Sequence, residues 1–207
     1  MVVVFDLGGT LMEFRGMPPV WIDYYKNGFE YINNKFNLDL TEEEIDKSVY
    51  IMKSYNPRIS YREQEISPFE IFKNATEKWN SKIDLEKIVD SFFDGINLEP
   101  IIYDYSFDLL EKYKSDGYLI ACLTDLPSGM PDYIFKRPLN KLIDKFDLYV
   151  SSQNCGYRKP NRFGLDYIAD YFNIDVKKLL FIGDEEKDKQ AAENAGCEFR
   201  FIEDVLK

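Results

Sequence analysis

Short apolar runs that each end in a polar or charged residue constrain the fold of this chain most strongly. Val2–Phe5 is a continuous, mostly β-branched run followed directly by Asp6. Similar apolar runs recur at 118–123, 148–150, 179–182 and 198–202. A run without polar interruption is typical of a strand that is buried on both faces, as in a parallel sheet.

Helical patterns lie between these runs. Residues 107–114, 162–172 and 186–194 carry apolar side chains near helical spacing, and Gly196 follows the last pattern as a stop signal. Alternating strands and helices predict an α/β fold, with a Rossmann-like parallel sheet flanked by helices.

Residues 17–100 differ, because no convincing strand interrupts them. Amphipathic helices are predicted there, at 19–36, 41–55, 67–80 and 84–96. We therefore predict an inserted all-helical domain, formed by residues 15–97, within an α/β core domain formed by residues 1–14 and 98–207.

Composition and charge narrow the classes of function. The formal net charge is −11, which disfavours nucleic acid and anionic membrane surfaces as partners. The chain has no histidine, which excludes Ser-His-Asp and Cys-His catalysis and histidine-bound zinc. The three cysteines lack metal-type spacing and favour a reducing, cytoplasmic setting. Neither a signal peptide nor a transmembrane span is expected.

Polar side chains are predicted to meet at the carboxyl edge of the sheet, where open α/β sheets bind their ligands. Asp6, Thr124 and Asp184 stand at the ends of apolar runs, and Lys159 follows another through a longer loop. Each residue taken alone could equally be a cap, a turn residue or a solvated side chain. Together they supply two carboxylates, a hydroxyl and an ammonium, which suit a phosphate and a divalent cation.

Motifs in a fixed order resemble those of the haloacid dehalogenase-like hydrolase superfamily. The first is VVVFDLGGTL at 2–11, the second is Leu123-Thr124, the third is GYRKP at 156–160, and the fourth is FIGDEEKD at 181–188. The helical insertion stands where one branch of that superfamily carries a helical cap. The resemblance implies a magnesium-dependent phosphatase that acts on a small phosphorylated metabolite.

The resemblance also implies a role for each matching residue. Asp6 would be the nucleophile that forms an aspartyl phosphate, and its other oxygen would bind Mg²⁺. Asp184 would be the second carboxylate on the metal, and Asp188, one helical turn on, would support the site. Thr124 and Lys159 would bind the transferring phosphoryl group, and Lys159 would also pair with Asp6.

Gly8 departs from the family pattern, in which an Asp two residues after the nucleophile acts as general acid and base. The backbone carbonyl of Gly8 would still bind the metal, but the acid is missing. Glu13 and Asp125 are candidates to replace it, although each could simply be a solvated or capping residue. General acid–base assistance is worth about 10²–10⁴-fold, so a slow enzyme is one expectation.

Alternatives to a phosphatase remain open. A haloacid dehalogenase would use the same nucleophile without magnesium, but the family's dehalogenases lack the carboxylate that Asp184 supplies. A phosphotransferase or mutase is compatible with the motifs. A folded scaffold with weak turnover, caused by Gly8, is the remaining alternative. The motifs identify neither the substrate nor the oligomeric state.

Overall fold

A computed structural model describes residues 1–15, 21–79 and 82–207 of the chain. Along the chain its strands are β1 (Val2–Phe5), β2 (Met12–Phe14), β3 (Pro100–Ile102), β4 (Leu119–Thr124), β5 (Leu148–Ser151), β6 (Leu179–Gly183) and β7 (Glu198–Phe201). Five of them form a parallel sheet in the order β5-β4-β1-β6-β7. The prediction of a parallel α/β sheet is confirmed.

Helices account for much of the rest of the described chain. They are α1 (Tyr25–Phe36), α2 (Glu42–Ser54), α3 (Pro68–Ala75), α4 (Leu85–Ile96), α5 (Ser106–Ser115), α6 (Asp132–Lys136), α7 (Asn140–Ile143), α8 (Ser152–Cys155), α9 (Phe163–Tyr171), α10 (Glu186–Ala195) and α11 (Ile202–Val205). Short 3₁₀ turns occupy Trp21–Tyr24, Arg137–Leu139 and Val176–Lys178. Among the described residues, no helix has both the length and the apolar character needed to span a membrane.

The central strand β1 is buried along its whole length because both faces of the sheet are covered. Val3 and Phe5 point to the face that packs against α5, and the hydrophobic cluster that contains them continues into the helices of the insertion. Val2 and Val4 point to the opposite face, which α9 and α10 cover. Burial on both faces explains why the strand shows no polar alternation in the sequence.

The helices α1 to α4 pack on one another, and their apolar side chains join the hydrophobic cluster that contains Val3 and Phe5. Phe92 lies at their centre, with ring centroids 4.9 Å from both Phe29 and Phe72. Thr41 caps α2 through a reciprocal pair of hydrogen bonds with Glu44, as the sequence indicated. Two predicted helix limits, at residues 19 and 80, lie outside the described residues.

An antiparallel pair of short strands, β2 and β3, forms where the chain enters and leaves the helical insertion. Glu13 lies opposite Ile101 in this pair, and the backbone N–H of Arg15 donates to Glu99 O at 2.8 Å beyond it. Neither strand was predicted from the sequence, because three-residue strands with distant partners leave no periodic signal. This small sheet holds the two connections to the insertion side by side.

Candidate active site

The central strands of the parallel sheet end side by side and carry three of the predicted residues to one edge. Asp6 follows β1, Thr124 ends β4, and Asp184 follows β6. The backbone N–H of Asp6 donates to Ile182 O at 2.9 Å, which continues the β1–β6 ladder up to Asp6. Asp6 and Thr124 are both buried.

Lys159 reaches the same edge from the loop after α8. Its ammonium lies 2.7 Å from Asp6 Oδ1 and 2.7 Å from Asp188 Oδ1, and its side chain is only 2% exposed. Burial opposes the charge, but the neighbouring carboxylates of Asp188 and Asp6 raise the pKa of Lys159 well above its usual value. Lys159 is therefore a permanent cation at this edge. The peptide bond between Lys159 and Pro160 is cis.

The carboxyl group of Asp6 has an unusual pKa. Burial raises this pKa to about 7, Lys159 opposes the shift, and the negative charge of Asp188 adds to it. An ionised Asp6 is therefore costly until further positive charge is present.

Asp188 is held in place by the start of α10. Its Oδ2 accepts hydrogen bonds from the backbone N–H groups of Asp184 at 3.2 Å and Glu185 at 3.0 Å. Glu185 is the N-cap of α10, so Asp184 is not a helix cap, which was one reading of the sequence. The carboxylate of Asp184 does not cap α10 and can therefore take part in the site at the edge of the sheet.

Three carboxylates converge at this edge in a way that fits a divalent metal ion. One oxygen each of Asp6, Asp184 and Asp188 lies within 4.8 Å of the others. Burial and the charge of Asp188 raise the pKa of Asp184, whose Oδ1 also accepts from Thr10 Oγ1 at 2.9 Å. Mutually repelling oxygen ligands of this kind match the donor preference of Mg²⁺.

Gly8 and Gly9 meet very different surroundings. A Cβ on Gly8 would have no atom within 4 Å, and its backbone lies outside the left-handed region. Gly9 has φ +80°, and a Cβ there would overlap the carboxylate of Asp184. Asp184 can approach this closely only because residue 9 is glycine. At position 8, neither the backbone conformation nor the surroundings require glycine.

The two candidate replacement acids are placed differently. Glu13 lies on the cavity wall, where its Oε2 accepts from the hydroxyl of Tyr103 at 3.2 Å. Asp125 accepts from the backbone N–H of Lys159 at 3.1 Å. Burial opposes its ionisation, but the positive charges of Lys159 and Arg158 outweigh burial and lower the pKa of Asp125. An acid that stays ionised is a poor proton donor, which leaves Glu13 as the better placed of the two.

A cavity of about 340 Å³ opens above these residues. Its floor includes Asp6, Thr124 and Asp184, and its opposite wall includes Tyr25, Asn56 and Arg58 from the helical insertion. The site therefore lies between the sheet edge and the insertion, as expected for a ligand enclosed by both.

Two basic residues that line this cavity, Arg58 and Lys187, were not predicted from the sequence as site residues. Arg58 lies 3.0 Å from Glu185, and the ammonium of Lys187 lies 2.8 Å from Glu185 and 3.6 Å from Asp125. Lys187 stands one residue before Asp188 in the fourth motif, which was the one available signal. Arg58 lies in the insertion, where no motif marks it.

This chain is similar to known proteins in both sequence and fold. The family model of haloacid dehalogenase-like hydrolases matches residues 1–196. A phosphoglycolate phosphatase of Aliivibrio fischeri is 24% identical over 197 residues, covering 95% of this chain and 81% of that protein. A HAD phosphatase structure from Thermococcus onnurineus has a TM-score of 0.60 at 15% identity, covering 96% of this chain and 84% of that one. A HAD family enzyme from Bacteroides thetaiotaomicron has a TM-score of 0.59 at 21% identity, covering 97% and 92%.

The family match covers the helical insertion and every strand of the parallel sheet except β7, and it contains every residue of the site described above. The structural neighbours share the same α/β architecture. The chain belongs to the haloacid dehalogenase-like hydrolase family.

Proposed function

We propose that this hydrolase is a magnesium-dependent phosphatase that cleaves a small phosphomonoester through an aspartyl phosphate on Asp6. The observation that carries the proposal is the ion pair of 2.7 Å between Lys159 and a buried Asp6, beside the carboxylates of Asp184 and Asp188. A nucleophilic carboxylate is repelled by a phosphate, so positive charge must stand beside it. Lys159 supplies part of that charge.

Asp6, Asp184 and the backbone carbonyl of Gly8 would hold the metal, and Asp188 would support it. Bound there, Mg²⁺ offsets the repulsion between the carboxylates and the phosphate and orients the phosphoryl group. The residues of the chain would carry out the two chemical steps of covalent catalysis, first the attack on phosphorus and then the hydrolysis of the intermediate.

In the first step a carboxylate oxygen of Asp6 forms a bond to phosphorus while the bond between phosphorus and the ester oxygen breaks. The alcohol oxygen leaves with the electron pair of that bond and takes up a proton from solvent. In the second step water attacks the aspartyl phosphate and gives up a proton to solvent, the bond between phosphorus and the Asp6 oxygen breaks, and inorganic phosphate and the Asp6 carboxylate form. Lys159 and the hydroxyl of Thr124 bind the phosphoryl oxygens in both steps.

Relatives support this choice of chemistry. The similar protein of Aliivibrio fischeri is a phosphoglycolate phosphatase, and the structure from Bacteroides thetaiotaomicron is a complex with magnesium and inorganic phosphate. Asp184 also favours phosphate chemistry over the dehalogenase alternative. Gly8 favours the weak-turnover alternative, because no side chain at this position can donate the proton.

We further propose that residues 15–97 act as a cap domain that encloses the substrate above a core formed by 1–14 and 98–207. The cavity wall formed by Tyr25, Asn56, Pro57 and Arg58 supports this division. A cavity of about 340 Å³ suits a small metabolite rather than a protein or nucleic acid. The cytoplasmic setting stays a prediction.

The test is phosphate release from a panel of phosphorylated metabolites, with Mg²⁺ and with excess chelator. Phosphoglycolate and sugar phosphates belong in the panel, together with an aryl phosphate as a general reporter and a haloacid as the dehalogenase substrate. We expect magnesium-dependent release from at least one phosphomonoester. Halide release without added metal, and no phosphate release, would overturn the proposal.

A further inference from the structure

A second contact joins the helical insertion to the core, far along the chain from β2 and β3. Residues 63–65, between α2 and α3, run antiparallel to the loop 156–158. The backbone N–H of Glu65 donates to Gly156 O at 2.9 Å, and that of Arg158 donates to Glu63 O at 2.6 Å. Gln64 lies opposite Tyr157 between these bonds. We call residues 63–65 and 156–158 the clamp.

The carboxylate of Glu65 closes the clamp from inside. Its side chain is 6% exposed and that of Arg158 is 8% exposed, and the two form a short ion pair. Ser152 Oγ donates to Glu65 at 2.5 Å, and Arg62 donates at 3.1 Å. Opening the clamp would break this largely buried ion pair together with the backbone hydrogen bonds, so it costs more than separating an exposed ion pair.

The residues of the clamp contact the chain on both sides of Lys159. Arg158 precedes Lys159 and is held through its main chain and its side chain. Asn161 follows shortly after, and its Nδ2 donates to Glu63 Oε2 at 2.8 Å. The ammonium of Lys159 must reach Asp6 from a backbone that the insertion thus helps to fix.

One contact of the insertion across the cavity is weaker than the clamp. Arg58 and Glu185 pair at 3.0 Å, but their side chains are 56% and 39% exposed. An exposed ion pair of this kind contributes little and separates easily. Separation of this pair would leave the buried clamp intact.

We propose that the clamp stays closed throughout turnover and that Glu65 is a positioning residue for Lys159, supplied by the insertion. Movement of the insertion is then restricted to its Arg58 side, and the substrate enters there. The activity measurements of this inference rest on the proposed phosphatase function.

A disulfide across the clamp tests whether it opens. Opposite residues of such an antiparallel bridge have Cα atoms about 4.5 Å apart, which a disulfide can span. The variant is Gln64→Cys with Tyr157→Cys, in a Cys155→Ala background, because Cys155 Sγ lies 3.2 Å from Tyr157 O and would compete. We expect the oxidised and reduced forms to have the same kcat and KM. Loss of turnover on oxidation, restored by reductant, would show that the clamp opens in each cycle.

The variant Glu65→Gln tests positioning, because it keeps the shape and removes the charge. A small displacement of Lys159 should lower kcat by about 10- to 100-fold, with a much smaller change in KM. Hydrogen exchange should become faster at the amides of 156–161 and stay unchanged in β1. Glu99→Gln is the matched control, since Glu99 also pairs with an arginine, Arg15 at 2.9 Å, but at an exposed place outside the clamp.

The outcomes separate the two proposals. A native kcat in Glu65→Gln, whether or not exchange at 156–161 becomes faster, would overturn the positioning role. If Glu65→Gln does not fold, Ser152→Ala, which removes a hydrogen bond to Glu65 and keeps both charges, tests positioning by the same kcat measurement, and the disulfide variant tests whether the clamp opens. If the native protein releases no phosphate from any substrate, the proposed function fails, and hydrogen exchange in the disulfide and Glu65→Gln variants still shows whether the clamp holds the loop.

Discussion

The ammonium of Lys159 lies 2.7 Å from a carboxylate oxygen of Asp6 and equally close to one of Asp188. One buried cation therefore bridges the residue that follows β1 and a residue in the first turn of α10. Asp184 adds a third carboxylate within 4.8 Å, so a single lysine leaves this cluster with excess negative charge. This excess of negative charge, and the absence of a side chain at Gly8, determine how the site should respond to substitution, to pH and to metal.

Asp6→Asn should abolish turnover while the protein remains folded. The amide has nearly the same shape, but it is not a competent nucleophile, and loss of a covalent nucleophile costs more than about 10³-fold in kcat. Phosphate release and thermal unfolding should be measured on the same preparation. A well-folded variant that keeps substantial activity would rule out the covalent mechanism.

In the metal-free protein, Asp6 should contribute a loss of stability as the pH rises from about 4 to about 7. The pKa of Asp6 is about 7 when folded, whereas an unfolded aspartate has a pKa of about 3.9. Between these values the folded state keeps a proton that the unfolded state has lost, so the free energy of unfolding falls with rising pH. Urea unfolding in excess chelator at several pH values measures this slope.

Asp6→Asn serves as the control for that slope, because it removes the titrating group and leaves the other carboxylates. The variant should lose part of the pH dependence and should be more stable than the native protein above pH 7 when metal is absent. One pKa unit corresponds to about 1.4 kcal/mol, so a gain of a few kcal/mol is the expected scale. Identical slopes in both proteins would contradict the raised pKa of Asp6.

Asp184→Ala should weaken magnesium binding and lower activity at limiting Mg²⁺. Removing one of the converging carboxylates takes away an oxygen ligand, although it also relieves repulsion within the cluster. Calorimetric titration of Mg²⁺ gives the affinity, and Asp144→Ala, an exposed aspartate distant from the cluster in the sequence, is the matched control. Full native phosphate release in excess chelator would instead contradict the proposed magnesium dependence.

Gly8→Asp should raise hydrolysis of alkyl phosphates more than that of aryl phosphates. Without an acid at this position the leaving oxygen departs with little protonation, so the native rate should depend steeply on the leaving group's pKa. The space around Gly8 admits a side chain, and its backbone is not left-handed. A series of phosphomonoesters with graded leaving groups, run on both proteins, gives the two slopes.

Gly9→Ala is the contrasting control for that experiment. The added Cβ would overlap Asp184, so this variant should lose magnesium affinity rather than gain rate. A flat leaving-group dependence in the native protein would mean that another acid is already in place. Glu13→Gln would then be the first variant to make, because the lowered pKa of Asp125 keeps that residue ionised.

Much of the fold was predictable from local patterns. Val2–Phe5 is apolar at every position, and only a strand covered on both faces requires that. The capping pair of Thr41 and Glu44 also lies within one helical turn, so the start of α2 was readable. The strands β2 and β3 were not, because each is short and its partner is distant in the chain.

The sequence by itself determined which groups reach the sheet edge, since Asp6, Thr124 and Asp184 each stand at the end of an apolar run. Only the tertiary structure decided how they interact. The clamp between Glu65 and Arg158 and the contact between Arg58 and Glu185 join residues that no spacing rule relates. In the sequence, these charged residues look like ordinary solvated residues. Their burial and their partners depend on long-range packing, which local sequence patterns do not show.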